Sequence, residues 1–375
     1  FIYCLGKRKL RLSHAVLFIA SIPLLLKHGR FSYEFILLCM PMVRQTVELA
    51  TQKAKMHPID KYRWPYLVLF VLLCALPFAV YQNYFKYRPE YPVSQLKLPV
   101  GVAKFIQTHD LPGNVLNEPN SGGYLQWMLN GRNKIYMDMQ LSLFSDRDFA
   151  FATGALDDKH AFNNFLKQYD PAFVSVSLSR ADFPKMISSN PSFQLIFFDD
   201  VEALYINAKR YPELALAHNL TAIDPFQYQT IQYGKMDEKR RQAILGEAQK
   251  ILEIHPGCGI ANTIVANVLI AQAQYEKVVP YAEAVIRHYP NSSKGYILKG
   301  DAFRGIERAQ DAIVQYEAAI QRGLDQEEGK VYWNLHTCYG HLKQYKKAYQ
   351  AISSFVNPFH PQAAYQDIYA LAITA

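Results

Sequence analysis

A helical pattern that returns about every 34 residues constrains this 375-residue chain more than any other feature, because a repeat of that length is one supersecondary unit stacked on copies of itself. Pro256 and Pro290 stand 34 positions apart, and each closes a helical run, Glu247 to His255 and Tyr281 to Tyr289. The clearest unit starts at Ser293, with Gly300, Phe303, Ala312, Tyr316, Ala319 and Ile320 mixing small and large packing residues so that paired helices can approach closely. The preceding unit starts at Gly259 and puts Tyr275, Ala282, Ile286 and Pro290 in corresponding places. A later one from Gly329 offers Leu335, Tyr339, Tyr345, Ala348 and Ile352. The last step is 36 residues, which puts two extra residues in the loop around Asp325 to Glu328. A weaker unit precedes Pro256, and Pro361 to Ala375 supplies a final helix to cover the exposed end.

These positions resemble the tetratricopeptide (TPR) pattern. The resemblance implies an all-α solenoid over 225–375, with the first helix of each unit facing a concave surface that takes a protein or peptide segment. Asn262, Tyr296, Lys299, Arg304, Tyr332 and His336 are the candidates for that face, and their tyrosines and basic groups suit an acidic or aromatic peptide. Ordinary helix packing is the competing role for each of them. Because each repeat contacts only its neighbours, the array is expected to fold alone.

The net charge of +8 raises nucleic acid as a partner, but the basic residues sit beside apolar runs: Lys7, Arg8, Lys9 and Arg11 before the first, Lys53, Lys55, Lys61 and Arg63 before the third. No nucleic acid is therefore expected. Trp64 to Phe85 contains no charged residue, and 22 residues at about 1.5 Å each reach about 33 Å, enough to cross a bilayer core. Leu12 to Leu26 and Phe31 to Val43 are shorter, with 15 and 13 residues. The expectation is three transmembrane helices in 1–88, at about 12–27, 31–46 and 64–85, in a polytopic protein integral to the cytoplasmic (inner) membrane. Nine Lys and Arg residues flank one side and five the other, which places residues after about 90 outside the cytoplasm. With Phe at position 1, the chain reads as a piece of a longer protein. The five cysteines include no CxxC pair, so neither a disulfide framework nor a zinc site is expected.

Between the prolines at 89, 92 and 99 and residue 208, short β-rich runs alternate with helical ones, which reads as a small α/β domain over 93–208. Expected strands are Asn114 to Asn117, Lys134 to Asp138, Phe173 to Leu178, Phe193 to Phe198 and Val201 to Asn207, the last two forming a hairpin turned at Asp199-Asp200. Expected helices are Val100 to Thr108, Ser121 to Leu129, Asp157 to Gln168 and Arg180 to Ser188. Asn117, Gly122, Gly123 and Asp138 gather at the strand edge where α/β domains commonly bind ligands, with helix capping and tight packing as the competing reading.

Three stretches resemble the C-terminal region of bacterial GT-C glycosyltransferase-like membrane proteins. They are Arg30, Phe35 and Pro41; the run from Leu98-Pro99 through Gly122-Gly123-Tyr124-Leu125 to Ile135-Tyr136-Met137-Asp138; and Tyr169-Asp170 through Tyr205. The family's Asp-Gly-Arg reads Asp138-Met139-Gln140 here, so the role of that arginine does not carry over. The resemblance implies an accessory region of an enzyme using a polyprenyl-linked sugar, with its acidic catalytic residue upstream of Phe1. The residues themselves show no catalytic constellation, so enzyme activity stays open and no cofactor or metal is expected. The leading expectation is an extracytoplasmic TPR domain that mediates protein–protein interaction or assembly, with a lipid-linked sugar as a further partner under the enzyme alternative.

Overall fold

The computed structural model describes residues 97–140, 143–324 and 329–355, together with short pieces between 11 and 45. The chain divides into two units, 1–83 and 84–375. In the first, short helical stretches occur at 16–20 and 37–41, and His14 Nδ1 lies 2.9 Å from Gln45 Oε1.

The fold class expected from the sequence, membrane helices leading into a small α/β domain and a repeat array, is corrected here. Among the described residues no helix is long and apolar enough to cross a membrane, and what is described is mostly helical with one small sheet. The physical reason lies in length: the apolar runs of 15 and 13 residues from Leu12 and Phe31 fall short of the roughly 20 a span requires. Trp64 to Phe85 lies outside the described residues, as do the loop 325–328 and the expected helix 361–375.

The second unit begins with helix α1 (Val100–Thr108), strand β1 (Val115–Leu116) and helix α2 (Pro119–Met128). Helices α3 (Asp146–Asp157) and α4 (Lys159–Gln168) follow, then β2 (Phe173–Ser177), α5 (Phe183–Ile187), β3 (Phe193–Phe198), β4 (Glu202–Asn207) and α6 (Pro212–His218). The sheet order is β1-β2-β4-β3, with β1 parallel to β2 and the other pairs antiparallel. The stretch expected as a strand from Lys134 to Asp138 makes only an isolated bridge, Val115 to Ile135. The helix expected from Asp157 is divided by Asp158, whose carboxylate accepts from the His160 and Ala161 amides and so starts α4.

The array starts with α7 (Glu238–Ile254) and continues as pairs: α8 (Gly259–Ala271) with α9 (Tyr275–His288), α10 (Ser293–Gly305) with α11 (Ala309–Gln321), and α12 (Lys330–His341) with α13 (Tyr345–Phe355). The turn inside each pair repeats at the backbone level. Ala273, Glu307 and Lys343 all take left-handed φ, at 56°, 62° and 57°, spaced by 34 and then 36 residues. None is glycine, so each costs on the order of 1 kcal/mol, which the packing of the paired helices offsets. Gly300 shows that packing: a Cβ there would lie 2.5 Å from the Tyr316 ring, so only glycine lets α10 and α11 meet. The result is a row of helix pairs with a repeated turn, the arrangement that the sequence periodicity leads one to expect. The segment 225–237, one period before α8, forms two 3-10 turns, Tyr228–Thr230 and Tyr233–Lys235, where a first helix would stand. Arg241 ties it down by donating to the Tyr233 and Met236 carbonyls.

The hydrophobic core does not stop between sheet and array. One cluster runs from Val102 through Phe173, Leu204 and Ile206 to Ile244, Ile264, Val285 and Ala302, and a second gathers Ile297, Tyr316, Leu335 and Ala348. Cutting the chain near residue 225 would therefore open the first cluster. A fragment of residues 225–375 is expected to melt well below the array in the full chain, measured by circular dichroism at 222 nm; equal melting temperatures would show the array to be self-sufficient.

Candidate functional site

The residues expected at the strand edge are brought together, but chiefly with one another. Asn117 is fully buried; its Oδ1 accepts from the Tyr136 amide at 2.9 Å, while its Nδ2 donates to the Glu118 and Met137 carbonyls at 2.8 and 2.7 Å. All its strong bonding capacity goes into fastening the 136–137 stretch to α2. Gly122 permits the same approach, since a Cβ there would fall 2.0 Å from the Met137 oxygen. Asp138 turns its carboxylate onto the Gln140 amide at 2.8 Å, closing a local turn. Gly123 is exposed, with open space where a Cβ would go. Beside them the buried Glu118 receives Arg180 through Nε at 2.5 Å and Nη2 at 3.0 Å, and the Arg180 guanidinium also pairs with Asp157.

Glu202, deeper in the sheet, is bonded to the Ser175 hydroxyl. Burial pushes its carboxyl up to about 8 against the opposing pull of the Ser121 and Ser175 hydroxyls, and Asp199 and Glu118 add repulsion.

The six residues expected on the concave face are dispersed among packing roles. Asn262 is buried, and its amide donates to the Pro256 and Cys258 carbonyls at 2.9 and 2.7 Å. Tyr296 has the Arg322 guanidinium 3.8 Å above its ring. Lys299 pairs with Glu283 at 2.8 Å, linking α10 to α9. His336 Nδ1 lies 3.2 Å from the Ala348 carbonyl oxygen, inside its own helix pair. Arg304 is exposed and Tyr332 half-buried.

The groove itself is lined by neighbouring positions on the same helices. It has a volume of about 820 Å³, with Thr263, Asn267 and Ile270 of α8, Lys294, Ile297, Leu298 and Asp301 of α10, and Lys330 at the start of α12. Tyr228, Ile231 and Tyr233 of the preceding segment close one side. Its polar groups divide by availability. Asp301 is occupied, accepting from the Tyr316 hydroxyl at 2.6 Å and Asn334 Nδ2 at 2.8 Å. Lys294 lies 3.5 Å from the Tyr228 hydroxyl and 5.9 Å from the centre of its ring, and Lys330 is exposed. Tyr233 is buried, its hydroxyl has no hydrogen-bond partner among the described residues, and burial pushes its ionisation up. The groove thus offers an apolar floor, an amide able to both donate and accept, and two ammonium groups at the rim. Several lining residues stand next in sequence to those expected, Thr263 beside Asn262, Ile297 beside Tyr296 and Leu298 beside Lys299, and one position along a helix turns the side chain by about 100°.

No protein-family model and no curated protein sequence matches the chain. Solved structures similar to it include MamA from residue 41 to its end, from Desulfovibrio magneticus RS-1, at 24% identity and a TM-score of 0.31, covering 40% of this chain and 81% of that one. A thermophilic TPR protein of Thermus thermophilus is similar at 11% identity and a TM-score of 0.32, covering 52% of this chain and 90% of that one. A third is Naa15/Naa10 bound to HypK-THB, at 23% identity and a TM-score of 0.31, where the match covers 36% of this chain and 20% of that one.

Gly122→Ala is expected to cost about 3 kcal/mol, because the new methyl meets backbone, whereas Gly123→Ala is expected to stay within about 1 kcal/mol of the parent. Urea denaturation followed by fluorescence measures both. Glu202 supplies a pH dependence of definite sign. Its folded pKa lies above the unfolded value of about 4.3, so its contribution is fully present below that pH and is lost as pH rises through about 8. Glu202→Gln should flatten the decline in melting temperature between about pH 4 and 8, and an unchanged slope would place the titrating group elsewhere.

Proposed function

We propose that the chain binds an extended protein segment in the groove formed by α8, α10 and the first turn of α12, and so acts as a protein–protein interaction module. The observation that carries this reading is the composition of the groove: a continuous concavity of about 820 Å³ with Ile270, Ile297 and Leu298 as floor, and Asn267, Lys294 and Lys330 with polar atoms to offer. Successive alternate side chains of an extended segment would enter the floor, while its peptide groups meet Asn267. The two lysines favour a segment carrying acidic side chains, because they outnumber the one carboxylate of the lining, Asp301.

The test uses arrayed acidic and basic peptides of equal hydrophobicity on the full chain. Leu298→Ala should weaken binding of acidic peptides by about thirtyfold, as loss of an apolar anchor worth about 2 kcal/mol does. Lys294→Glu combined with Lys330→Glu should reverse the charge preference. If instead Tyr296→Ala with Tyr332→Ala abolishes binding while the groove variants bind normally, the partner uses another face of the array.

A further inference from the structure

The turn between β3 and β4 places two adjacent carboxylates at the starts of two helices that belong to different parts of the fold. Asp199 accepts from the Gly101 and Val102 amides at 2.9 and 3.1 Å, at the N-terminus of α1, and from Val201 and Glu202 at 2.9 Å each. Asp200 points the other way. Its oxygens accept from the Gly259 and Ile260 amides, at 2.8 and 2.6 Å, and from the Tyr289 hydroxyl. The Cys258 thiol lies 3.9 Å away. These are the first amides of α8, the helix that contributes Thr263, Asn267 and Ile270 to the groove, and Tyr289 ends α9, its paired helix.

There is no slack at this point. A Cβ on Gly259 would lie 2.4 Å from the Tyr289 ring, one on Gly257 would lie 2.7 Å from His288, and one on Gly101 would meet both Asp199 and His255 within 2.9 Å. A shift of the β3–β4 turn therefore reaches the start of α8 through the Asp200 bonds to the Gly259 and Ile260 amides.

We propose that Asp200 is a positioning residue for the groove, through which the α/β domain sets the placement and rigidity of α8, the groove's first wall. This rests on reading the groove as the binding site and names how that site is regulated: whatever loosens the sheet loosens α8, and whatever tightens it, a partner of the α/β domain included, pre-orders the groove. α10 and α12 stand further from the turn and draw their order from the array.

Amide hydrogen exchange on the full chain tests it without needing a partner. In Asp200→Ala, exchange across Gly259 to Ala271 should rise about tenfold, while Ser293 to Gly305 keeps the parent rate. Tyr289→Phe, which removes only the donated hydroxyl, should give a smaller rise in the same segment and serves if the alanine variant does not fold. The decisive readout is transmission. Ser175→Ala, a change inside the sheet, should speed exchange in Gly259 to Ala271 of the parent chain and fail to do so further in the Asp200→Ala background. Equal rates in parent and Asp200→Ala, or acceleration spread evenly over both segments, or a Ser175→Ala effect that persists without Asp200, would each overturn the proposal. Because these rates are read without ligand, a groove that binds no peptide would sink the binding reading and leave this result standing.

Discussion

The Asp199-Asp200 pair is the constraint around which the rest of this structure is arranged. Two buried like charges one residue apart are costly unless every oxygen is supplied with donors, and here the donors come from both sides of what would otherwise be a domain boundary. The start of α1, the end of β3, the start of β4 and the start of α8 must all be present at once. Burial still pushes Asp199 up to about 7 despite its four amides, and Asp200 adds repulsion, which shows how much the site relies on those amides to stay formed.

From that junction the continuity of the core follows. α1 packs on the sheet with one side, and Gly101 is near enough to His255 that the end of α7 packs against it. His255 is buried with an unpaired Nδ1, and burial lowers it to about 4, so it stays neutral through the physiological range and adds no charge beside the two aspartates. The segment 225–237 then takes the place of a missing first helix, and the 34-residue rhythm becomes regular only from Gly259 onward. An array that begins against a sheet needs no polar capping repeat at that end, since the α/β domain covers it.

Much of this was legible in the sequence, for reasons that can be named. The register 259, 293 and 329 was readable because Gly300 and Tyr316 are a size-matched pair that only this spacing brings into contact, and the hairpin was readable because Asp199-Asp200 interrupts two runs of strong strand formers. The failures have equally definite causes. Near positions 12–46 the apolar runs are 15 and 13 residues, shorter than the roughly 20 of a span, and among the described residues no helix is long and apolar enough to cross a membrane. Asn117 and Gly122 allow two readings, because the residue types that approach a ligand's backbone-like groups are the same ones that let a protein approach itself, as they do here at Met137.

The same ambiguity explains the displaced groove. Tyrosine, arginine and histidine attract a functional reading, yet in this array those side chains make the links between neighbouring helices, as Tyr296 under Arg322 and His336 beside the Ala348 carbonyl do. The groove proposed for a partner is lined by plainer residues, among them Thr263, Asn267, Ile297 and Leu298. A helix-pair array fixes those positions through glycine-to-ring contacts and left-handed turns, and the α/β domain fixes the first of its helices through one carboxylate. Recognition by such a surface depends less on which side chains are present than on how firmly the helix carrying them is held. On the proposal made for Asp200, that firmness is set close to the first turn of α8 and outside the groove.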